Sequence, residues 1–276
     1  MITFSEFGKK RRMQRILNNG KTLIVPVDDS LIAGPYKGLY DLRKTITDIE
    51  EAIPSAILGF KGGLSLVNSE SIPLILNITA STIRGTHVSK ILAGTVEEAI
   101  RMDVDCLAVH INYACDEENK MLSQLSSVIT EADRFGLPVL AISYPRKTID
   151  GKDYNYDDLS EDDFSDLICH CTRTSVELGA DIVKTKYTGS RESFERVVNS
   201  ALGHPVVIAG GELMDVDKAY EMAKNVIDAG GAGISFGRNV FNRKDIKPFI
   251  LGIKEIIFNG SNVKDALDIY QRCKDV

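Results

Sequence analysis

Eight short β-branched runs punctuate the chain, and the segments between them repeat at helical period; few folds accommodate that alternation. The runs are Thr22–Val27, Ser55–Phe60, Pro73–Ile78, Asp105–Ile111, Pro138–Ser143, Asp181–Thr185, Pro205–Ala209 and Ala232–Phe236. Helical patterns lie between them, among them Leu42–Ala52, Thr95–Met102, Asn119–Phe135, Asp162–Leu178, Ser190–Ala201 and Val216–Ala229, several ending in Gly or followed by Pro. A strand that returns parallel to its neighbour needs a right-handed crossover, and eight such units in one domain's length close on themselves. The expected class is α/β, a single (β/α)8 TIM barrel spanning residues 1–276. An open doubly wound sheet is the alternative, but no Gly-x-Gly-x-x-Gly follows an early run.

Two segments fall outside the alternation. Phe4–Leu17 carries Lys9, Lys10, Arg11, Arg12 and Arg15 on a short helix, expected to cap the closed end of the barrel with its charges in solvent. Lys147–Glu161 is rich in Asp, Lys, Gly and Tyr and reads as a long polar loop on the side where barrel enzymes keep their sites.

Composition narrows the partners. With 33 Lys and Arg against 39 Asp and Glu, the net charge of −6 argues against a nucleic-acid partner. No run approaches the ~18 apolar residues a membrane span needs, and the charged N-terminus does not read as a secretory signal. Five cysteines, an odd number, point to a reducing, cytoplasmic compartment. Cys169-His170-Cys171 lies in a helical segment where positions two apart point in different directions, so the thiols do not share an ion. The histidines at 87, 110, 170 and 204 form neither His-x-His nor His-Glu-x-x-His. Neither a metal nor another cofactor is expected.

In a barrel the catalytic groups come from the C-terminal ends of the strands, so residues just past each run converge. These are Asp28 and Asp29, Lys61, Thr79, Asn112, Tyr144 and Lys184. Lys184 stands out because it ends an apolar run, Ala180-Asp181-Ile182-Val183, where partial desolvation disfavours the ammonium and leaves a nucleophilic amine. Lys186 shares its parity but lies nearer the loop. Glycines follow the last two runs, in Ala209-Gly210-Gly211 and in Gly237-Arg238-Asn239, where backbone N–H groups hold phosphate in many barrels.

These residues sit in longer motifs: Ile24-Val25-Pro26-Val27-Asp28, Gly34-Pro35-Tyr36-Lys37-Gly38-Leu39 with Arg43-Lys44-Thr45, Thr95-Val96-Glu97-Glu98-Ala99, Tyr144-Pro145-Arg146 and Ala180 to Gly189. Together they make residues 9 to 257 resemble the archaeal-type class I (Schiff-base) aldolases, a family that includes fructose-bisphosphate aldolases and 2-amino-3,7-dideoxy-D-threo-hept-6-ulosonate synthases. The first two motifs and the Val-Glu-Glu-Ala stretch look closer to the heptulosonate synthases.

Carried over residue by residue, the resemblance implies Lys184 as Schiff-base lysine, Tyr144 as acid/base, and Asp28 as a further acid/base or orienting carboxylate. It also implies a phosphate cradle of Gly210, Gly211, Gly237 and Arg238; Lys61 is added as a substrate-binding candidate. The implied reaction makes or breaks a carbon–carbon bond between a phosphorylated ketose and a small aldehyde, without metal, in a homo-oligomer. A fructose-bisphosphate aldolase, a thiolase-like acyltransferase and an inactive sugar-phosphate-binding barrel are the other readings.

The chain departs from the family pattern at several positions. Asp29 stands where His is usual, Ser30 for Gly, Lys147 for Gly, Glu212 for Pro and Asn242 for Gln. Because side chains alternate along a strand, Asp29 is expected to face the wall if Asp28 faces the pocket.

Overall fold

The computed structural model describes residues 3–34, 37–82, 88–150, 152–156 and 158–274; Pro35, Tyr36 and His87, named above, lie outside them. Eight parallel strands close into a barrel: β1 (Thr22–Pro26), β2 (Ala56–Gly59), β3 (Leu74–Asn77), β4 (Cys106–Tyr113), β5 (Val139–Pro145), β6 (Ile182–Lys186), β7 (Val206–Ala209) and β8 (Gly233–Ser235). Each pairs with its sequence neighbour, and β1 also pairs with β8 in the register Thr22 to Gly233, which completes the ring. Every expected run therefore yields a barrel strand, with ends that agree to within two residues. Closure requires glycine at 233: its φ is +149°, and a Cβ there would lie 1.8 Å from the Thr22 carbonyl oxygen.

Alternation divides the apolar residues into two layers. Ile24, Leu58, Ile75, Ala108, Leu140 and Val207 face inward and pack with one another, while residues of opposite parity pack under the surrounding helices. At the lower end Ile16 of the N-terminal helix, Phe4–Ile16, is fully buried against the inner layer and plugs the barrel. The cap is as expected, but its charges are not all solvated. Arg15 pairs with Asp105 at 2.6 Å, and Lys9 pairs with Asp133 and, at 3.1 Å, with Asp181. The reason lies in the strand starts: Asp105 accepts from Leu74 N–H and Asp181 from Val139 N–H, so the acids are already held at the barrel's lower rim.

Three pieces were not legible in the pattern. Helices Ile246–Asn259 and Val263–Lys274 follow β8 and pack on each other and on Val216–Asp228. Lys147–Ile149 and Lys152–Tyr154 form a small antiparallel hairpin inside the segment read as a plain loop. A second hairpin pairs Thr79–Ala80 with Ile91–Leu92.

Candidate active site

Inward parity carries the site upward from the apolar stack. Lys184 lies two residues beyond Ile182 on β6, beside Ile142 of β5, and only 6% of it is exposed. Burial lowers its pKa, and the nearby Asp28 and Asp29 charges partly restore it. The result is an amine that gives up its proton more readily than a surface lysine, in reach of a cavity of about 310 Å³.

Asp28 lies across this cavity, two residues past β1. The strand ends at Pro26, and at Asp28 the backbone turns to φ −90°, ψ 0° and enters the short helix Asp29–Ala33. Strand alternation does not extend through that turn, so Asp28 and Asp29 both line the cavity. The expectation that Asp29 faces the wall is corrected for this reason. Asp28 is buried and accepts from Asn77 Nδ2 at 2.8 Å; the Asn77 amide is itself fixed, since its Oδ1 accepts from Thr79 N–H and Oγ1. Asp29 is pushed up to about 6, chiefly by burial and then by the Asp28 charge, while Arg238 and Lys184 pull it down.

Tyr144 ends β5 on the same wall. Burial, then the Asp28 charge, pushes its phenol well above the ordinary tyrosine value, so it remains protonated at neutral pH. His110, opposite Ile142 in the register, meets the Tyr144 ring edge-on at 5.2 Å. His110 Nε2 also lies 3.1 Å from Asn112 Oδ1.

The glycine turns meet at the other side. Ala209 at the end of β7 with Gly210 and Gly211 after it, and Ser235 at the end of β8 with Gly237 and Arg238 after it, line the cavity. Asn239 staples the two turns: its amide donates to the carbonyls of Gly210 and Glu212 at 3.0 and 2.9 Å and accepts from Met214 N–H. Arg238 is bonded to Glu212 and has its Nε 3.5 Å from Asp29. Ser235 Oγ is buried without a hydrogen-bond partner among the described residues.

The structure thus brings Lys184, Tyr144, Asp28, Gly210, Gly211, Gly237 and Arg238 around one cavity, and leaves Lys61 out. Lys61 begins the short helix after β2, bonds to Glu98 at 2.9 Å, and borders a neighbouring, mostly apolar cavity between the ends of β1, β2 and β3. Thr79 and Asn112 do not line the cavity; they bond to Asn77 and His110, respectively. Of the departures, Asp29 and Glu212 border the cavity; Lys147 turns to Asp158 and the Tyr156 ring, and Asn242 caps the helix Arg238–Phe241. Lys186 donates to Asn155 Oδ1 at 2.7 Å, an atom that also accepts from Arg146.

Sequence reasoning passed over Asn77, His110, Arg146, Asn155 and Ser235 as site residues. For Asn77, His110 and Ser235 the signal was inward parity near the top of a strand; Asn155 carries none, since it lies in a hairpin read as a loop.

Residues 22–243 match the DeoC/LacD family aldolase profile. The 2-amino-3,7-dideoxy-D-threo-hept-6-ulosonate synthase of Halobacterium salinarum is 34% identical over 266 residues, covering 95% of this chain and 96% of that protein. The 2-amino-4,5-dihydroxy-6-oxo-7-(phosphonooxy)heptanoate synthase of Streptomyces griseus is 30% identical over 94% of each chain. Among solved structures, an archaeal fructose 1,6-bisphosphate aldolase superposes with a TM-score of 0.81 at 25% identity, over 91% of this chain and all of that one.

Proposed function

This chain belongs to the DeoC/LacD aldolase family, and from that premise we propose that it makes or breaks a carbon–carbon bond in a phosphorylated ketose through an imine on Lys184. The observation that carries the reading is the buried Lys184 amine, its pKa lowered by burial, facing Asp28, Tyr144 and the paired glycine turns across one cavity. The neutral amine adds to the ketone carbonyl and water leaves. The resulting protonated imine withdraws electrons from the adjacent carbon, which becomes the enamine either by losing a proton to Asp28 or, in the cleaving direction, by keeping the electron pair of the carbon–carbon bond as the aldehyde leaves. In the condensing direction Tyr144, held protonated, delivers a proton to the aldehyde oxygen as the new bond forms, a contribution of ~10² to 10⁴-fold. Asp28 orients or relays protons, and the glycine turns with Arg238 hold the phosphate.

The similarity to dideoxy-heptulosonate and amino-heptanoate synthases favours a 2-amino-3,7-dideoxy-D-threo-hept-6-ulosonate synthase-like reaction, and so a role in making aromatic precursors. A fructose-bisphosphate aldolase is the second reading, favoured by the structural likeness. The imine supplies the electron sink, so the reading includes metal independence, with activity surviving exhaustive chelation. Cytoplasmic location belongs to it and is supported by the five free thiols. Homo-oligomeric assembly also belongs to it; the exposed Phe4 and Phe7 side chains are its support, and light scattering tests it.

Borohydride reduction in the presence of a panel of ketose phosphates, read by peptide mass, tests the reading. A ketose skeleton fixed on Lys184 is the expected outcome, and the ketose that labels it names the substrate. Labelling at Lys186 alone overturns the assignment.

A further inference from the structure

Arg238, the one arginine of the proposed phosphate cradle, already has anionic partners. Glu212 from the turn after β7 bonds to its guanidinium, and Asp29 from the turn after β1 lies 3.5 Å from its Nε. Both carboxylates stand where the family pattern has His and Pro. The guanidinium fork binds carboxylate and phosphate with the same donors, so these side chains engage the donors that a substrate phosphate would need. We propose that Asp29 and Glu212 form a built-in counter-anion to Arg238 that competes with the substrate's phosphate for its guanidinium. The proposal rests on the reading of Arg238 and the glycine turns as a phosphate cradle.

The two carboxylates divide the task. The Glu212 side chain is 83% exposed, and an exposed ion pair contributes little, so an arriving anion displaces it. The Asp29 side chain is 28% exposed and sits in the cavity wall at the start of a helix. It cannot swing into solvent and continues to repel a bound anion. Asp28, Lys184, Arg238 and Glu212 are the charges that act on it, and His110, Tyr144 and Arg146 line the same cavity. Asp29 titrates at about 6, raised first by burial, so mild acidification removes the resident charge.

Sulfate, which stays dianionic throughout, is the probe, its binding to the full chain measured by calorimetry. At about pH 7.5, Asp29→Asn is expected to tighten sulfate binding on the order of tenfold and Glu212→Gln by roughly two- to threefold, whereas Arg238→Gln weakens it. The unaltered protein is expected to bind sulfate more tightly at about pH 5.5 than at 7.5, and Asp29→Asn is expected to lose that dependence. If Arg238→Gln weakens sulfate but neither carboxylate substitution tightens it and the wild-type pH response is flat, the counter-anion is refuted and the phosphate cradle stands. If Arg238→Gln leaves sulfate binding unchanged, the cradle itself is refuted and the counter-anion with it.

Discussion

Asn77 Nδ2 donates to Asp28 Oδ2 at 2.8 Å, a bond that ties the end of β3 to the turn after β1 and aims the Asp28 carboxylate across the cavity from Lys184. Asn77 is 2% exposed, and Thr79 fixes the orientation of its amide from the other side. Asn77→Ala leaves Asp28 short of a charge-assisted donor. The expected result is a fall in kcat of ~10- to 100-fold from misplacement of the carboxylate, with a loss of ~1–3 kcal/mol in stability. Parallel kinetics and denaturant melts check it, and unchanged kcat with unchanged stability refutes a positioning role.

The two lysines of β6 separate cleanly. Lys184→Met is expected to abolish imine trapping and lower turnover by several orders of magnitude, because no other lysine among the described residues lines the cavity. Lys186→Met removes a donor to Asn155 and leaves the Lys184 amine in place, so trapping persists and the rate falls less than about tenfold.

Much of this was legible in the sequence. Period decided the barrel, since eight runs separated by helical segments have one economical closure; strand-end position gathered Asp28, Asp29, Lys61, Thr79, Asn112, Tyr144 and Lys184, and the family resemblance picked Lys184, Tyr144 and Asp28 from that set. Lys61 lies apart from the Lys184 cavity because the chain turns into a short helix directly after β2, which carries its amine toward Glu98. Asp29 misled for a related reason: alternation is a property of extended backbone, and at Asp28 the backbone is already helical. Contacts between turns, such as Asn239 bridging the loops after β7 and β8, depend on tertiary placement and leave no periodic trace.

The glycine turn after β7 admits no side chain at its first position. A Cβ on Gly210 would lie 2.6 Å from the Phe236 ring and 2.9 Å from Asn239 Nδ2, so Gly210→Ala must move the staple that joins the two turns. An affinity loss of ~10-fold for a ketose phosphate is expected, larger than any change in imine chemistry. Measuring KM and kcat separately checks it; a fall in kcat alone would place the turn in the chemical step instead.

The lower plug is expected to matter for stability and not for turnover. Ile16 is fully buried in the inner layer at the end remote from Lys184, and Ile16→Ala opens a cavity there. A cost of ~2–5 kcal/mol is expected, with kcat unchanged below the melting range. A large kcat effect would reveal coupling along the barrel axis.

Asp29 also sets a pH dependence of stability. Its carboxyl titrates at about 6 in the fold, against 3.8 for the free group, chiefly because burial penalises the charge and Asp28 adds to that. Between these values the native state binds the proton and the unfolded chain does not. The stability this group contributes is therefore complete below about pH 4 and lost as pH rises through about 6. The gap from 3.8 to about 6 corresponds to roughly 3 kcal/mol, and solvent reaching the partly exposed carboxylate reduces this to ~1–2 kcal/mol. Asp29→Asn cannot ionise, so it is expected to be more stable than wild type by that amount at pH 7 and equal to it near pH 3.5. Denaturant titrations of both proteins across this range check the sign: a variant less stable than wild type at pH 7 would show that the pairing with Arg238 outweighs the burial of the charge.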